Sequence, residues 1–265
     1  MVDKPGKKIQ IDAIFQARLS STRLPRKLLL KLVDRPLLSH VIERIKCAKQ
    51  VSRIIVATTA KDIDDPICEL LDNLSIPYYR GNEDDVLDRF YQASRIYGVN
   101  HILRVTPDDP FKDPDIIDRV AQVYINSDGA YDYISNILTP SFPDGLDVEI
   151  FSFKALEKAW KEANLPSERE HVTPYLWKNP EIFKVCNIEN SQDQSSHRWT
   201  IDRKKDFEFA EAVYKRLYKP GKIFLMQDIL DLLGNEPELI NINKDSVKWE
   251  GFLKSLDEDQ TFLKK

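Results

Sequence analysis

The chain is predicted to be α/β, a single doubly wound and mostly parallel sheet with an elaborated carboxyl-terminal half. Three observations predict it. Short apolar runs alternate with amphipathic stretches through the first half. The first run leads straight into a loop of cations and hydroxyls. Two later runs end in aspartates, and open α/β sheets bind ligands at the carboxyl ends of their strands.

The elements follow in order. Ile11 to Phe15 reads as the first strand, then a helix near Leu37 to Lys49, a strand Arg53 to Thr58, a helix near Pro66 to Asn73 and a short strand Tyr78 to Arg80. A helix near Val86 to Tyr97, a strand His101 to Val105, a helix near Pro114 to Tyr124 and a strand Tyr131 to Ser135 continue the alternation. Beyond it the pattern loosens. The expected elements there are a strand Val148 to Phe153, helices near Lys154 to Glu162 and Arg169 to Lys178, strands near Phe183 to Ile188 and Arg198 to Ile201, and helices Phe207 to Leu217 and Met226 to Leu233. No linker or repeat divides the chain, so residues 1–233 read as one domain. Residues 234–265 lack clear periodicity and read as a carboxyl-terminal tail that packs loosely or against a partner subunit.

Composition narrows the class of partner. A chain of 265 residues can bury a sizeable core, and no apolar run approaches the roughly 18 residues of a membrane span. Met1 to Lys8 lacks the apolar stretch of a signal peptide, so a cytoplasmic location is expected. Cys47, Cys68 and Cys186 have no close pairing of the kind a zinc site or disulfide framework needs, and read as reduced core residues. The net charge of −4 argues against broad nucleic-acid or membrane binding, which makes the basic first loop a local concentration suited to a small anion.

That loop carries Arg18, Ser20, Ser21, Thr22, Arg23, Arg26 and Lys27. It lacks the glycines of a phosphate loop, so side chains must supplement backbone amides. Arg18, Arg23 and Lys27 supply charge-assisted hydrogen bonds, while the hydroxyls donate or cap a turn. A solvated basic loop is the plainer alternative. Asp108 and Asp109 follow the strand ending at Val105, where a carboxylate suits magnesium; a helix cap is equally compatible, since Asp113-Pro114 comes next. Asp202 closes Ser196 to Asp202 in the same way, as a second ligand or as a cap for the helix near Lys204. Asp88 and Arg89 are candidates for a ligand edge, beside a helix start that favours acids in any case. Asp147 and Glu149 share one face of an alternating strand and suit sugar hydroxyls. Arg169 and His171 open a helix, as substrate-carboxylate contacts or as a surface cluster.

In this order the motifs resemble the CMP-sugar-acid synthetases, particularly the cytidylyltransferase branch associated with spore-coat polysaccharide biosynthesis. The resemblance spans roughly Ile11 to Leu217. It rests on Gln16 to Lys27, Pro36-Leu37-Leu38, Val56 to Thr59, Arg80 to Arg89, Thr106 to Pro110, Pro143 to Glu149, Arg169 to Tyr175 and Arg198 to Asp202. It implies a fold of the nucleotide-diphospho-sugar transferase type, Mg2+ dependence and commonly a homodimer. CTP would lie on Ala17, Arg18, Ser21, Thr22, Arg23 and Lys27 of the first loop, with Asp88, Arg89 and Thr106 nearby. Arg18, Lys27 and Asp108 would carry the chemistry, and Asp108 and Asp202 would match the metal-binding acids. A sugar or sugar-acid acceptor would meet Asp147, Glu149, Arg169, His171 and Arg198. The chain departs from the family pattern at Arg26 and Pro107, where glycine is usual, and at Asp109, where cysteine or glutamate is usual. The expected reaction is attack of an acceptor hydroxyl on the α-phosphate of CTP. A glycosyltransferase using a finished nucleotide sugar, or a binding protein without chemistry, would share the sheet; the dense cations of the first loop favour a triphosphate.

Overall fold

The structure is a computed structural model that describes residues 9–264; Met1 to Lys8, on which the signal-peptide expectation rests, lie outside the described residues. In the first half, strands β1 (Ile11–Gln16), β4 (Val51–Thr59), β5 (Tyr78–Gly81) and β6 (His101–Val105) alternate with helices α1 (Leu37–Lys46), α2 (Asp65–Asn73), α3 (Val86–Tyr97) and α4 (Pro114–Asn126). A two-residue ladder, β2 (Lys31–Leu32) with β3 (Arg35–Pro36), leads into α1. The later strands are β7 (Tyr133–Ser135), β8 (Glu149–Ser152) and β9 (Val185–Asn187). The later helices are α5 (Phe153–Glu162), α6 (Pro166–His171), α7 (Pro174–Lys178), α8 (Lys204–Leu217), α9 (Met226–Asn235) and α10 (Glu250–Phe262).

The main sheet has seven strands in the order β5-β4-β1-β6-β8-β7-β9. Strands β5, β4, β1 and β6 are parallel, β8 runs against β6 and β7, and β9 returns parallel to β7. Strand periodicity divides the core into two layers. Ile11, Ala13 and Phe15 of β1 join Ile54, Val56, Leu103 and Val105 on the face covered by α1, α4, α8 and α9. Ile14, Ile55, Ala57 and Ile102 lie on the other face with Val86, Leu87, Phe90 and Ala93 of α3 and with α5. Charged residues interrupt that second face at two places: buried Asp12 of β1, paired with Arg53 of β4, and Arg104 of β6, between buried Leu103 and Val105.

Four expectations are corrected. The helix expected over Arg169 to Lys178 is two helices, broken at Val172, whose φ of 71° places it in the left-handed half of conformational space. Thr173 N donates to His171 O at 2.8 Å, closing a classic γ-turn, a strained geometry for a buried β-branched residue. Arg198 to Ile201 is not a strand; one bridge joins Asp144 to Arg198, and the segment is held by irregular hydrogen bonds instead. The tail is not loose: after a 3-10 turn at Pro237–Ile242, α10 packs on α6. Asp259 on α10 accepts from Ser167 N at 2.9 Å and Ser167 Oγ at 2.6 Å. Finally, the three cysteines are free, but only Cys68 is buried; Cys47 is exposed and Cys186 half-buried.

Candidate active site

The site lies beyond the carboxyl ends of β1 and β6, where neighbouring loops converge. The loop after β1 is folded by its own backbone and by a buried acid. Leu19 N donates to Asp64 Oδ1 at 2.6 Å, and Asp64 is held in turn by the Thr59 hydroxyl at the end of β4. Arg26 N closes back on Leu19 O at 3.3 Å. Arg26 itself has φ 55° and ψ 24°, the left-handed conformation that glycine adopts most readily, which accounts for the small residue expected there. Its side chain is exposed. Ala17 is buried, Ser21 Oγ accepts from Leu24 N at 3.4 Å in a local turn, and Thr22 is exposed.

Three of the four loop cations meet an acid from a distant part of the chain. Lys27 Nζ lies 2.6 Å from Asp108 Oδ2, 2.6 Å from Ile201 O and 3.2 Å from Asp202 Oδ1. Arg23 donates to the same Asp202 oxygen at 2.6 Å and lies 3.9 Å from Glu250 on α10. Arg18 pairs with Glu170 at 3.4 Å. The sequence left a helix cap open for both Asp108 and Asp202, and the structure gives those tasks to their neighbours. Asp113 caps α4, accepting from Asp115 N at 2.9 Å and Ile116 N at 3.3 Å. Asp206 accepts from Asp202 N at 3.0 Å and Arg203 N at 2.8 Å at the start of α8. Asp108 and Asp202 are therefore left to share one ammonium.

The electrostatics follow from that sharing. Burial works to lower the Lys27 pKa, but Asp108 and Asp202 outweigh it and leave the ammonium above its ordinary value. Burial opposes ionisation of Asp202 too, yet Lys27 and Arg23 hold its carboxyl well below the usual range. Asp108 goes the other way: burial, with Asp109 and Asp202 nearby, pushes it up despite Lys27. Of the two acids, Asp108 is the first to take a proton.

Beside this pair lies a wall of buried ion pairs. Arg198 reaches Asp202 at 2.9 Å, Asp144 at 3.0 Å and Asp206 at 3.4 Å. Gly145, next to Asp144, has φ 106°, and a Cβ there would meet Thr200 N and Trp199 C at 2.9 Å. Only glycine lets the two loops approach so closely. Glu149, the first residue of β8, accepts from Arg104 and, at 2.8 Å, from the Tyr133 hydroxyl. Lys112 Nζ binds Asp147 O at 2.6 Å and Asp109 at 2.9 Å, while Thr106 donates its hydroxyl to Asp109. Burial pushes the Asp147 carboxyl up to about 8, with Asp144, Asp109 and Glu149 adding to the rise against Lys112.

Several candidates are drawn away from the loop. Asp88 Oδ1 accepts from Trp160 Nε1 at 2.8 Å and Gln92 Nε2 at 3.0 Å, tying α3 to α5. Arg89 is buried and donates to Asn82 O at 2.6 Å and Glu83 O at 2.7 Å, shaping the turn before α3. Arg169 binds Asp85 and Trp160 O, at 3.1 and 2.8 Å. His171 instead remains close to Arg18, Arg104 and Glu149, and burial pulls its pKa down to about 4. Sequence reasoning missed Asp64, Arg104, Asp144, Glu170 and Glu250. Arg104 was detectable as a charge within an apolar strand, and Glu170 as the acid inside Arg169-Glu-His171; the other three carry no local signal.

The fold is of the nucleotide-diphospho-sugar transferase type, and it is shared at 15% identity by a solved CMP:2-keto-3-deoxy-manno-octonic acid synthetase complexed with CTP, which superposes with a TM-score of 0.62 over 79% of this chain and 100% of that one. The chain belongs to the cytidylyltransferase family, whose sequence profile matches residues 13–229. It is similar to an uncharacterised protein of Methanocaldococcus jannaschii, 41% identical over 89% of this chain and 95% of that one. It is also similar to the spore coat polysaccharide biosynthesis protein SpsF of Bacillus subtilis, 29% identical over 85% of this chain and 94% of that one. Among solved structures, a cytidylyltransferase from Leptospira borgpetersenii superposes with a TM-score of 0.83 at 32% identity, covering 88% of this chain and 97% of that one.

Proposed function

We propose that this cytidylyltransferase transfers CMP from CTP to a hydroxyl of a sugar or sugar acid, with release of pyrophosphate, to supply surface polysaccharide synthesis. The observation that carries the reading is the Lys27 ammonium held between Asp108 and Asp202, with Arg18 and Arg23 on the same loop. The dense loop charge suits a triphosphate. Its phosphates would take over cations that now neutralise Glu170 and Asp202, so little new charge must be desolvated.

Asp108 and Asp202 form an all-oxygen donor set of the kind magnesium accepts, and the described residues hold no cluster of three or more metal-binding side chains. Phosphate oxygens and water would complete the shell. When bound, Mg2+ would neutralise charge at the α-phosphate and lower the pKa of the attacking hydroxyl. The protein's own share is positioning: Lys27 and Arg18 hold the leaving pyrophosphate, Arg23 orders Asp202, and Arg198, Arg169 and Glu149 brace the walls. Asp147 and His171 are the acceptor-side contacts in this reading. The reading includes a cytoplasmic enzyme, where CTP is made, and a homodimer.

The test is pyrophosphate release from CTP with Mg2+ across a panel of sugar acids, sugars and polyol phosphates. Release that depends on one acceptor class supports the reading. Turnover of a preformed nucleotide sugar alone overturns it.

A further inference from the structure

Helix α10 lies outside the stretch that the family profile matches, yet it touches both sides of the candidate site. Glu250, at its start, pairs with Arg203 at 2.7 Å and approaches Arg23. Two residues on, Phe252 sets its ring edge-on to His171, with ring centroids 5.2 Å apart. The next turn carries Ser255, which is buried: its Oγ is 3.0 Å from His171 Nε2 and 2.7 Å from Glu170 Oε2. Asp259 then fastens the helix to Ser167. A tail adjunct thus reaches the one acceptor-side histidine.

We propose that Ser255 is a positioning residue for the acceptor side of the reaction, fixing the tautomer of His171 and the orientation of Glu170. The inference rests on the CMP transfer proposed above. A carboxylate only accepts, so the single hydroxyl hydrogen of Ser255 goes to Glu170, in preference to the longer 3.1 Å contact with Gly251 O. The Ser255 oxygen then accepts from His171, which places the imidazole hydrogen on Nε2. Nδ1 is left with a lone pair and has no hydrogen-bond partner among the described residues. It is free to accept from an acceptor hydroxyl. Glu170 in turn accepts from Arg18, so one chain of hydrogen bonds runs from His171 through α10 to the phosphate loop. The charged groups facing the ring are Glu170 on α6, Arg104 on β6, Glu149 on β8 and Arg18 in the loop. The γ-turn at Val172 holds His171 at the end of α6 against a break in the helix, strain that the packed α10 helps to sustain.

The experiment uses the full-length protein. Imidazole 15N NMR of the wild type is expected to show neutral His171 as the Nε2–H tautomer near pH 7, and Ser255→Ala is expected to lose that preference. In pyrophosphate-release assays, Ser255→Ala should raise KM for the acceptor roughly tenfold, the scale of losing a hydrogen bond to a charged partner, and leave KM for CTP within about twofold. Ser255→Thr, which keeps the hydroxyl, should restore both readouts. An Nδ1–H tautomer in the wild type overturns the proposal. So does an unchanged acceptor KM in a Ser255→Ala protein of unaltered melting temperature. Should no acceptor be turned over by the wild type, the proposed reaction falls, and the tautomer measurement alone still decides the pairing of Ser255 with His171.

Discussion

The proposed phosphate side and the proposed acceptor side of the site are built on different plans. On the phosphate side, three cations from one short loop meet acids brought in from Asp108, Glu170 and Asp202, and the acids are in place for exchange with an anionic ligand. On the acceptor side the charges are paired mostly within the wall itself: Arg198 with Asp144 and Asp206 as well as with Asp202, Arg104 with Glu149, Lys112 with Asp109. Those pairs are buried, so they shape the cavity more than they attract a ligand. The difference teaches that charge count alone is a poor guide here; what matters is whether a charge can change partner.

The largest expected effect breaks the exchangeable side. Lys27→Met removes the shared ammonium and leaves two acids facing each other, so pyrophosphate release should fall at least about 10²- to 10³-fold. Stability should drop by about 3 kcal/mol, because a buried charge loses its partner. A variant with near wild-type turnover would show that the loop does not hold the leaving group. Asp108→Asn is next: turnover should fall roughly a hundredfold, and calorimetric affinity for CTP should cease to respond to Mg2+. Unchanged metal dependence would remove Asp108 from the proposed donor set.

The acceptor side is sharpened by pH. His171 is held near 4 by burial and by Arg104 and Arg18, against Glu170, while an unfolded histidine titrates near about 6.5. Between these values the unfolded chain binds a proton that the folded chain does not. Its contribution to stability is thus present above about 6.5 and is lost as pH falls toward 4. Urea melts of His171→Gln should show a flatter acid limb over that window. Asp147 works in the opposite sense: with its folded value at about 8, its stability contribution is present below about 4 and lost as pH rises through 8. Asp147→Asn should gain stability relative to wild type at alkaline pH. The smallest effect is expected of Arg26→Gly. Relief of the left-handed backbone and the entropy of a more flexible unfolded chain offset one another to within about 1 kcal/mol, and activity should stay within about twofold. A large loss of activity would mean that the exposed guanidinium contacts the nucleotide.

Much of the fold was legible because the first half is locally determined. The strand His101 to Val105 and the helix Val86 to Tyr97 end where the sequence places them, since β-branched runs and an Asp85 cap mark their limits. Arg198 to Ile201 misled because its apolar residues, Trp199 and Ile201, are buried by irregular backbone and not by a ladder. Residues 169–178 misled because the expected single helix passed over Pro174, whose missing N–H suits the first position of α7 and not a helix interior; the γ-turn that packing imposes at Val172 has no such local sign. In the candidate site, Asp108 and Asp202 stand at the ends of segments the sequence marks out, and Lys27 in the basic loop; the structure brings the three together. Glu250 and Ser255 were not legible, because their meaning depends on where α10 docks, and no local pattern in the tail encodes that contact.

The single reversed strand has a consequence for how such a site diversifies. Because β8 runs opposite to β6, its first residue, Glu149, stands level with Arg104 near the carboxyl end of β6. The segment that feeds it, residues 136–148, therefore enters from the ligand side, while the loops serving the phosphate side leave from the ends of β1 and β6. Insertions ahead of β8 can recast the acceptor cavity with no change to the register of the parallel strands. In the proposed reaction, one half of the sheet would thereby be free to vary its substrate while the other keeps its nucleotide.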